Sequence, residues 1–597
     1  MKYPKLKALS ASRDTVDVFK GYNHNLRIGD GEFFDMKNMT SDNYPVLSPR
    51  GKRGLYKNTG NITGIIAKDA LCYVDGSKFV INEYPIEMGL NDEPKQLISM
   101  GAYVIIMPDK KWINTLCWIK ENQFDMENGL GYLDAHFDNG ETRSDVSFSL
   151  CTIDGVDYDI KFFDKVEPTE ERYPDNLENL DFWINTGTTP HTLNQYSASS
   201  KTWVQIPTTY IRISCPGIGE NFEQYDGVTI SGIKAESLKD LNASHAIWAK
   251  DKDHIVVIGL MDSGLTQTAD EGIIEVDRKM PEVDFITESN NRLWACRYGE
   301  ANNGEVVNEI YASKLGDFKN WNCFMNLSTD SYVASCGTDG QFTGAITHMG
   351  YPLFFKENYV HKVYGNYPAN FQIQSTACRG VQNGSGRSLA IVNETLFYKG
   401  RSGICAYDGS LPTEVSYAMG NEAYSDAVGG AHGNKYYVSM KDASNNYHLF
   451  VYDTSKGMWH KEDNLKADGF CSCRGEMYAI NDGNIITMLG SGEKDSADVE
   501  WMVQTGEIGL NSPDMKYLSK ITLRMSMDTG SSVAVYAQYD ISNRWELVCR
   551  LQSAHLRSFS IPIRPKRCDN MKLRIEGVGN ARIYSITKTI EQGSDQS

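Results

Sequence analysis

The stretch QFTGAITHMGYPLFFKENYVHKVYG, Gln341 to Gly365, decides the fold class of this chain. It predicts three short strands, at 342–347, 351–356 and 359–364, separated by a Met-Gly turn and by Glu-Asn. Each run is rich in β-branched and aromatic residues and is bounded by Gly, Pro or Asn. Strands joined so tightly form an antiparallel meander, which is too small to be stable by itself. The stretch is therefore expected to be one unit of a larger β-structure.

The same pattern of short strands and tight turns returns along the chain. Units begin near Ile62, Lys95, Ala246, Val283, Ser388, Asp426 and Gly469, in addition to the unit at 341–365. Repetition of a four-stranded unit at about 40 residues is typical of a β-propeller. We therefore predict an all-β fold with a propeller of about seven blades. In the unit at 426–459, a Tyr-Asp, a turn and a Gly-x-Trp predict an aromatic side chain that pins one blade against its neighbour.

The length and the strand spacing divide the chain into five parts. A chain of 597 residues has room for several domains. We predict an extended N-terminal arm at 1–57, the first propeller blades at 58–116, an inserted β-rich domain at 117–244, the remaining blades at 245–490, and a C-terminal antiparallel β-sandwich with a polar tail at 491–597. The insertion is acidic and irregular, and loop tips tolerate such insertions. The sandwich follows from longer alternating strands after Ser491.

Charge and cysteine content exclude several classes of protein. A formal net charge of −18 disfavours general binding to nucleic acid or to anionic membranes. The sequence has neither an apolar run long enough for a membrane helix nor the apolar core of a secretory signal, so we expect no membrane insertion and folding in a cytoplasm. The thirteen cysteines are dispersed. The pair Cys471 and Cys473 has no second ligand pair nearby, which favours packing in the core over metal binding.

A search for catalytic motifs finds none of the familiar ones. The phosphate-binding loop, the nucleophile elbow and the zinc-protease motif are all missing from the sequence. The Gly-rich run 379–386 is not followed by a predicted helix, so a flexible loop is favoured over a phosphate cradle. The acids Glu170, Glu171 and Asp175 are interpreted as a solvated acidic loop rather than as an acid/base pair. We therefore predict no catalytic, cofactor-binding or metal-binding residue and no cofactor.

Three passages carry a resemblance to a known family. They are Gly21-Tyr22-Asn23 with Gly31-Glu32-Phe33, Asn38-Met39 and Pro45 to Arg50; Trp321 with Asp330-Ser331-Tyr332, Asp339-Gly340, Ile346, Leu353 to Glu357 and Val363 to Gly365; and Gly506, Gly509, Ser512-Pro513-Asp514 and Tyr517 through Lys588-Thr589. Together they resemble bacteriophage tail hub or nozzle proteins, sometimes called stabilisation proteins, and the last passage is similar to terminal modules of structural proteins in phages of Gram-positive bacteria.

The resemblance implies a non-enzymatic structural component of a phage tail. It would lie in a hub, nozzle or tail-tip ring, would be assembled in the host bacterial cytoplasm, and would bind other tail or head-tail connector proteins. A closed homo-oligomeric ring, with a hexamer favoured, implies a channel that could pass DNA. The arm residues Phe33, Phe34 and Tyr44 either anchor a neighbouring copy or fold back onto their own propeller.

Two alternatives remain open from the sequence. Propellers and β-sandwiches both host sugar sites and aromatic residues are plentiful, so the chain is alternatively a carbohydrate-binding or carbohydrate-active propeller protein, acting in receptor binding or glycan hydrolysis. A bacterial cytoplasmic scaffold without a phage connection is the third interpretation.

Overall fold

The computed structural model describes residues 11–120, 123–140, 146–173, 176–260, 273–300, 304–490, 493–494, 498–510, 515–540, 542–552, 555–564 and 566–592. In these residues the protein is almost entirely β-structure, and its helices are the short 3₁₀ turns Glu236–Leu241, Pro368–Asn370, Gly386–Ser388 and Tyr417–Met419. Within the same ranges, every helix falls short of the length and apolar character that crossing a bilayer requires. The predicted all-β class is confirmed.

The propeller consists of antiparallel meanders, which we name sheets A to G in chain order. Sheet A contains Ile62–Ala67, Leu71–Asp75, Lys78–Ile81 and Tyr84–Glu87; sheet B contains Gln96–Met100, Tyr103–Met107, Lys111–Asn114 and Leu130–Tyr132; sheet C contains Phe285–Ser289, Arg292–Glu300, Val306–Ala312 and Tyr332–Ser335. Sheet D contains Gly344–His348, Tyr351–Lys356, Tyr359–Tyr364 and Gln372–Ala377; sheet E contains Ala390–Val392, Thr395–Lys399, Ile404–Tyr407 and Thr413–Glu414.

Sheets F and G recruit strands from the N-terminal arm. Sheet F contains Tyr424–His432, Lys435–Asp442, Tyr447–Asp453 and Met458–Lys461, followed by Gly21–Tyr22 and Glu32–Phe33; sheet G contains Gly469–Cys473, Glu476–Asn481 and Asn484–Thr487, followed by Gly54–Lys57 and Glu493–Lys494. Gly54–Lys57 immediately precedes sheet A in the chain and pairs with the third strand of sheet G. Sheet G, the last of the propeller, is thus completed by the segment of chain that leads into sheet A, the first.

Each propeller sheet places its first strand, or the residue just before it, against one central cavity. The apolar wall is formed by Ile65, Leu97, Phe285, Ile346, Leu389, Val428 and Phe470, in the order of sheets A to G. This arrangement of sheets around a central channel is that of a β-propeller. The number of blades stays a prediction.

A buried indole links two neighbouring propeller sheets, as the Gly-x-Trp pattern predicts. Trp459, at the end of sheet F, is 2% exposed. Its Nε1 donates to the carbonyl oxygen of Val415, which follows sheet E, at 2.8 Å. The ring also packs against Tyr452, with the ring centroids 4.8 Å apart.

The inserted segment lies between the last strand of sheet B and the first strand of sheet C. Its strands form three sheets: Ala135–Asp138, Glu275–Arg278, Gly227–Ser231 and Ser244–Ala246; Ser147–Cys151, Tyr210–Ser214, His254–Ile258 and Ala249–Lys250; and Ile160–Asp164, Phe182–Asn185, Thr192–Ser197 and Thr202–Gln205. A separate hairpin of Trp118–Lys120 and Gln123–Phe124 lies, in chain order, between the third and fourth strands of sheet B.

The predicted boundaries of the insertion, 117 and 244, differ from the structure at both ends. The strand Leu130–Tyr132 completes sheet B, so the insertion begins after it. The unit predicted as a blade at 246–260 belongs to the insertion, because His254–Ile258 pairs with Tyr210–Ser214 rather than with a propeller strand. Propeller structure resumes at Phe285.

The C-terminal sandwich packs two sheets against each other, and the N-terminal arm supplies a strand to each. One sheet contains Ala11–Val16, Ala581–Gln592, Lys516–Met527 and Arg557–Pro562; the other contains Asp35–Lys37, Glu500–Gln504, Met571–Val578, Ser532–Tyr539 and Glu546–Leu551. The strands Met39–Thr40 and Ser48–Pro49 pair with each other between the propeller and the sandwich. The sandwich is therefore built from both ends of the chain, whereas the prediction placed it in 491–597 alone.

The arm folds back onto its own chain. Phe33 is 2% exposed and stacks on Phe19 with ring centroids 5.9 Å apart. Phe34 stacks on His24 at 4.1 Å. Glu32–Phe33 joins sheet F through Gly21–Tyr22, and the backbone N–H of Phe34 donates to the carbonyl oxygen of Gln504 in the sandwich at 2.8 Å. Tyr44 is 40% exposed. Contact of these aromatics with a neighbouring copy stays a prediction.

Candidate site in the central cavity of the propeller

The central cavity has a volume of about 590 Å³ and is lined by residues from sheets A to G. Its walls combine aliphatic and aromatic side chains with the polar residues Thr63, Lys95, Gln96, Asp284, Arg387 and Asp468. A concavity with apolar walls and converging polar groups is the usual form of a small-molecule site. This cavity is therefore the candidate functional site.

Charged residues lie next to the first strands of four sheets. Lys95 directly precedes sheet B, Asp284 sheet C and Asp468 sheet G, while Arg387 lies in the 3₁₀ turn before sheet E. The backbone hydrogen bonds of the strand that follows fix the position of a residue at its start. Because each sheet begins beside the cavity, these four charged residues are placed around it.

Two aromatic rings line the cavity beside the two aspartates. Phe285 follows Asp284 directly, and Phe470 follows Asp468 after one glycine. Both rings pack against glycines of other sheets or of the turns next to them. A Cβ built on Gly386 would lie 2.9 Å from Cε1 of Phe285, and one built on Gly430 would lie 2.4 Å from Cβ of Phe470. Gly386 and Gly430 therefore leave room for the side chains of Phe285 and Phe470. A larger residue at either glycine would displace the neighbouring phenylalanine.

The two carboxylates are held to different degrees. Asp284 accepts from Nη1 of Arg297 at 2.7 Å with one oxygen and from the backbone N–H of Tyr298 at 2.8 Å with the other. Asp468 lies 3.5 Å from Nζ of Lys466, and its side chain is 39% exposed. Asp284 is thus fixed in orientation, whereas Asp468 keeps lone pairs available to a ligand.

The cations of the cavity also differ in availability. Lys95 is buried in an ion pair with Asp109, at 2.6 Å, so its charge is already compensated. Arg387 is exposed, and its Nη1 donates to the backbone oxygen of Asp468 at 3.2 Å. That contact places a guanidinium next to the Asp468 backbone. A ligand in the cavity therefore meets acceptors and a donor close to one another.

Glu170, Glu171, Cys471 and Cys473 are not among the residues that line this cavity. Glu170 forms an exposed ion pair with Lys201 at 3.0 Å, Glu171 is exposed, and Asp175 lies outside the described residues. Cys471 and Cys473 pack in an apolar cluster with Tyr73 and Ile480. All thirteen thiols are free. In the part of the chain that the structure describes, His, Cys, Asp and Glu do not gather in threes as a metal site would need.

The Gly-rich run 379–386 is not the flexible loop that the sequence predicts. Val381 and Ser385 have no exposed surface, and Ser385 Oγ accepts from the backbone N–H of Ala427 at 3.1 Å. A Cβ on Gly380 would lie 1.7 Å from the carbonyl oxygen of Lys356. The glycines permit close backbone packing, and the run leads into the turn that carries Arg387.

Comparisons with known proteins show similarity at the level of the fold. Neither a protein-family model nor a curated protein matches the sequence. One similar solved structure is an exo-β-1,3-galactanase from Phanerochaete chrysosporium with β-1,3-galactotriose, at 9% identity over 51% of this chain and 95% of that chain, with a TM-score of 0.22. An engineered glycoside hydrolase of family GH43 has 9% identity over 52% and 97%, with a TM-score of 0.19. A Trypanosoma rangeli sialidase with sialic acid has 9% identity over 98% and 97%, with a TM-score of 0.20.

The prediction of a non-enzymatic structural component of a phage tail is contradicted by this comparison. The solved structures named above are an exo-β-1,3-galactanase, a glycoside hydrolase and a sialidase rather than structural components of a phage tail. Their low identities and TM-scores transfer no residue and no substrate, so the function has to be argued from the cavity itself. Ring assembly, partner proteins and virion location are untested by these comparisons and stay predictions.

Proposed function

We propose that this protein is carbohydrate-active and holds the end of a glycan chain in the central cavity of its propeller. The observation that carries the proposal is the placement of two carboxylates, Asp284 and Asp468, and two aromatic rings, Phe285 and Phe470, around one cavity. The guanidinium of Arg387 lies beside them.

This set of groups matches the two kinds of surface that a sugar ring offers. The C–H face of a pyranose is apolar and packs on aromatic or aliphatic walls, while its hydroxyl edge donates and accepts hydrogen bonds. Carboxylates accept strong, charge-assisted hydrogen bonds from hydroxyl groups. Asp468 supplies free acceptor positions, Asp284 supplies a rigid reference point, and Arg387 donates to ring or hydroxyl oxygens. Few polar groups with fixed orientation are what gives such a site its specificity.

The same two carboxylates are the pair that a hydrolytic reaction would use here. Glycosidases commonly place two carboxyl groups on either side of the bond that is cleaved. Among the described residues that line this cavity, Asp284 and Asp468 are the two that carry carboxyl groups. Glycan binding and glycoside cleavage are therefore tested with the same substitutions.

We expect Asp468→Asn to weaken glycan binding by about 10- to 100-fold, because a charge-assisted hydrogen bond contributes about 1.5–3 kcal/mol. The wild-type chain is first screened on immobilised bacterial, fungal and plant polysaccharides. Affinity for the bound oligosaccharide is then measured by calorimetry, and cleavage by release of reducing ends. Asp284→Asn is expected to reduce both readouts as well, through loss of the orientation set by Arg297.

Glu170→Gln is the matched control, because it removes an exposed carboxylate of the insertion that is paired with one lysine. It should leave binding unchanged. If no polysaccharide binds, or if Asp468→Asn binds as tightly as the wild type, the central cavity is not the glycan site.

A further inference from the structure

A second cavity lies in the C-terminal sandwich, between its two sheets and the N-terminal arm. Its volume is about 380 Å³. The inner wall is aliphatic and comes from both sheets: Ile521, Val535, Leu573, Ile575 and Ile586, each no more than 6% exposed. It shares no lining residue with the propeller cavity.

The outer wall is the arm segment 26–33. Ile28 packs into the position where Gly506 has no side chain, since a Cβ there would lie 2.5 Å from Cγ1 of Ile28. The segment is held by the backbone N–H of Lys20, which donates to the carbonyl oxygen of Gly31 at 2.7 Å. Leu26, which lines the cavity, is 89% exposed. The mouth of the cavity is therefore bordered by an apolar side chain that an apolar ligand could cover.

The volume is too large for a packing defect. Protein interiors are packed as densely as organic crystals, and voids much larger than a water molecule are few and destabilising. An apolar cavity of roughly 150 Å³ already stays dry and takes up benzene. The cavity in the sandwich is more than twice that size, which suits an extended aliphatic chain.

The mouth of the cavity has an excess of negative charge. Four carboxylates line it, Asp14, Asp30, Glu32 and Glu507, against the two cations Arg27 and Lys588. A third cation, Lys572, lies 3.6 Å from Glu507 and leaves an excess of one negative charge. Lys588, whose side chain is 9% exposed, is already paired with Asp30 at 2.6 Å. The mouth therefore attracts a cationic group and repels an anionic one.

We propose that this cavity binds a single-chain aliphatic amphiphile with a cationic head group. The chain lies between the two sheets, and the head lies among the carboxylates of the mouth. The aliphatic walls set the length of the chain, and the carboxylates discriminate against anionic lipids such as fatty acids.

The test uses the full chain and alkyltrimethylammonium ions of increasing length, titrated by calorimetry below their micelle concentrations. Affinity is expected to rise about fourfold for each added CH₂ group until the cavity is full, and then to level off. Decanoate is expected to bind at least tenfold more weakly than decyltrimethylammonium at low salt. Absence of binding, a continuous rise with length, or equal binding of decanoate each overturns the proposal.

Two variants tie the binding to the cavity. Val535→Phe fills the interior and should reduce binding at least tenfold, while Val578→Phe, at a 39% exposed position beyond the cavity on the strand that carries Leu573 and Ile575, should not. Should Val535→Phe unfold, Asp30→Asn with Glu32→Gln at the exposed mouth provides the second test. That pair should bring the affinities of decyltrimethylammonium and decanoate several-fold closer, and unchanged discrimination would contradict the assignment of the head group.

Discussion

Lowering the pH from 7 to 4 is expected to reduce the free energy of unfolding by about 6 kcal/mol through two buried histidines alone. His361 and His460 are no more than 4% exposed. Burial, assisted by Lys356, lowers the pKa of His361 to about 4. Burial, assisted by Lys435, lowers the pKa of His460 to about 4 against the opposing effect of Asp453 and Asp42.

The sign follows from which state binds the proton. Between the ordinary histidine pKa of about 6.5 and the folded value, the unfolded chain is protonated and the folded chain is not, so acid favours unfolding. The stabilisation is fully present above about pH 6.5 and is lost as the pH falls toward 4, at about 3 kcal/mol for each histidine. Depressed carboxyl groups such as Asp453 act below this window, since their stabilisation is lost only under the ordinary aspartate pKa of about 3.9.

Denaturant unfolding at a series of pH values measures this effect. The double variant His361→Gln with His460→Gln should lose most of the pH dependence between 7 and 4, whatever its stability at neutral pH. The control is His136→Gln, at a histidine whose side chain is 53% exposed and whose pKa is raised by Asp277 and Asp138. An unchanged slope in the double variant would show that other groups govern the acid sensitivity.

Local sequence patterns predicted the strands of the propeller well. The strands Tyr351–Lys356 and Tyr359–Tyr364 have the bounds that the sequence indicates, because each is a short apolar run closed by tight turns. The partner of a strand is harder to predict. His254–Ile258 has the composition of a blade strand, yet it pairs inside the insertion, since composition does not specify which strand lies alongside.

The arm shows the limit of local patterns more clearly. Gly54–Lys57 completes sheet G, and Asp35–Lys37 completes one sheet of the sandwich. Strands of three or four residues carry almost no pattern, and their partners lie more than 400 residues away in the chain. These pairings form only when the propeller closes into a ring and the sandwich is assembled from both ends of the chain, and no local sequence pattern indicates them.

The candidate site was missed for a related reason. Asp284 and Asp468 are far apart in the sequence and meet at one cavity only because the sheets form a ring. A usable signal existed, since each aspartate precedes the first strand of its unit and is followed closely by a phenylalanine. Aligning the predicted repeat units by their first strands would have placed both on the same cavity.

A buried ion cluster beside sheet G is one of the places where the arm is attached to the propeller. Arg53, directly before Gly54–Lys57, donates from Nη1 to Asp463 at 2.7 Å and from Nη2 to Glu462 at 2.8 Å. The side chains of Arg53 and Glu462 are 8% and 7% exposed. Burial acts to lower the pKa of Arg53, but the two carboxylates outweigh it and raise that pKa; conversely, burial acts to raise the pKa of Asp463, and Arg53 with Arg50 holds it down.

Replacing Arg53 by alanine is expected to reduce the free energy of unfolding by about 3–5 kcal/mol, because it leaves the buried Glu462 and the partly buried Asp463 with one shared cation, Arg50. Arg53→Lys should restore only part of this loss, since an ammonium cannot donate in the fork geometry that Glu462 and Asp463 receive. Arg379→Ala is the matched control: its guanidinium also pairs with a carboxylate, Glu414, at 2.9 Å, but it is 56% exposed. That change should cost less than about 1 kcal/mol.

The pH dependence separates a lost ion cluster from a lost packing contact. Because the pKa of Asp463 is depressed in the folded chain, the stabilisation from the cluster is present above the ordinary aspartate pKa of about 3.9 and is lost as the pH falls below it. The gap in stability between the wild type and Arg53→Ala should therefore narrow below about pH 4 and stay constant from pH 5 to 8. A gap of less than 1 kcal/mol at neutral pH, or one that persists unchanged in acid, would mean that the arm is held to sheet G by its strand pairing and apolar contacts rather than by these charges.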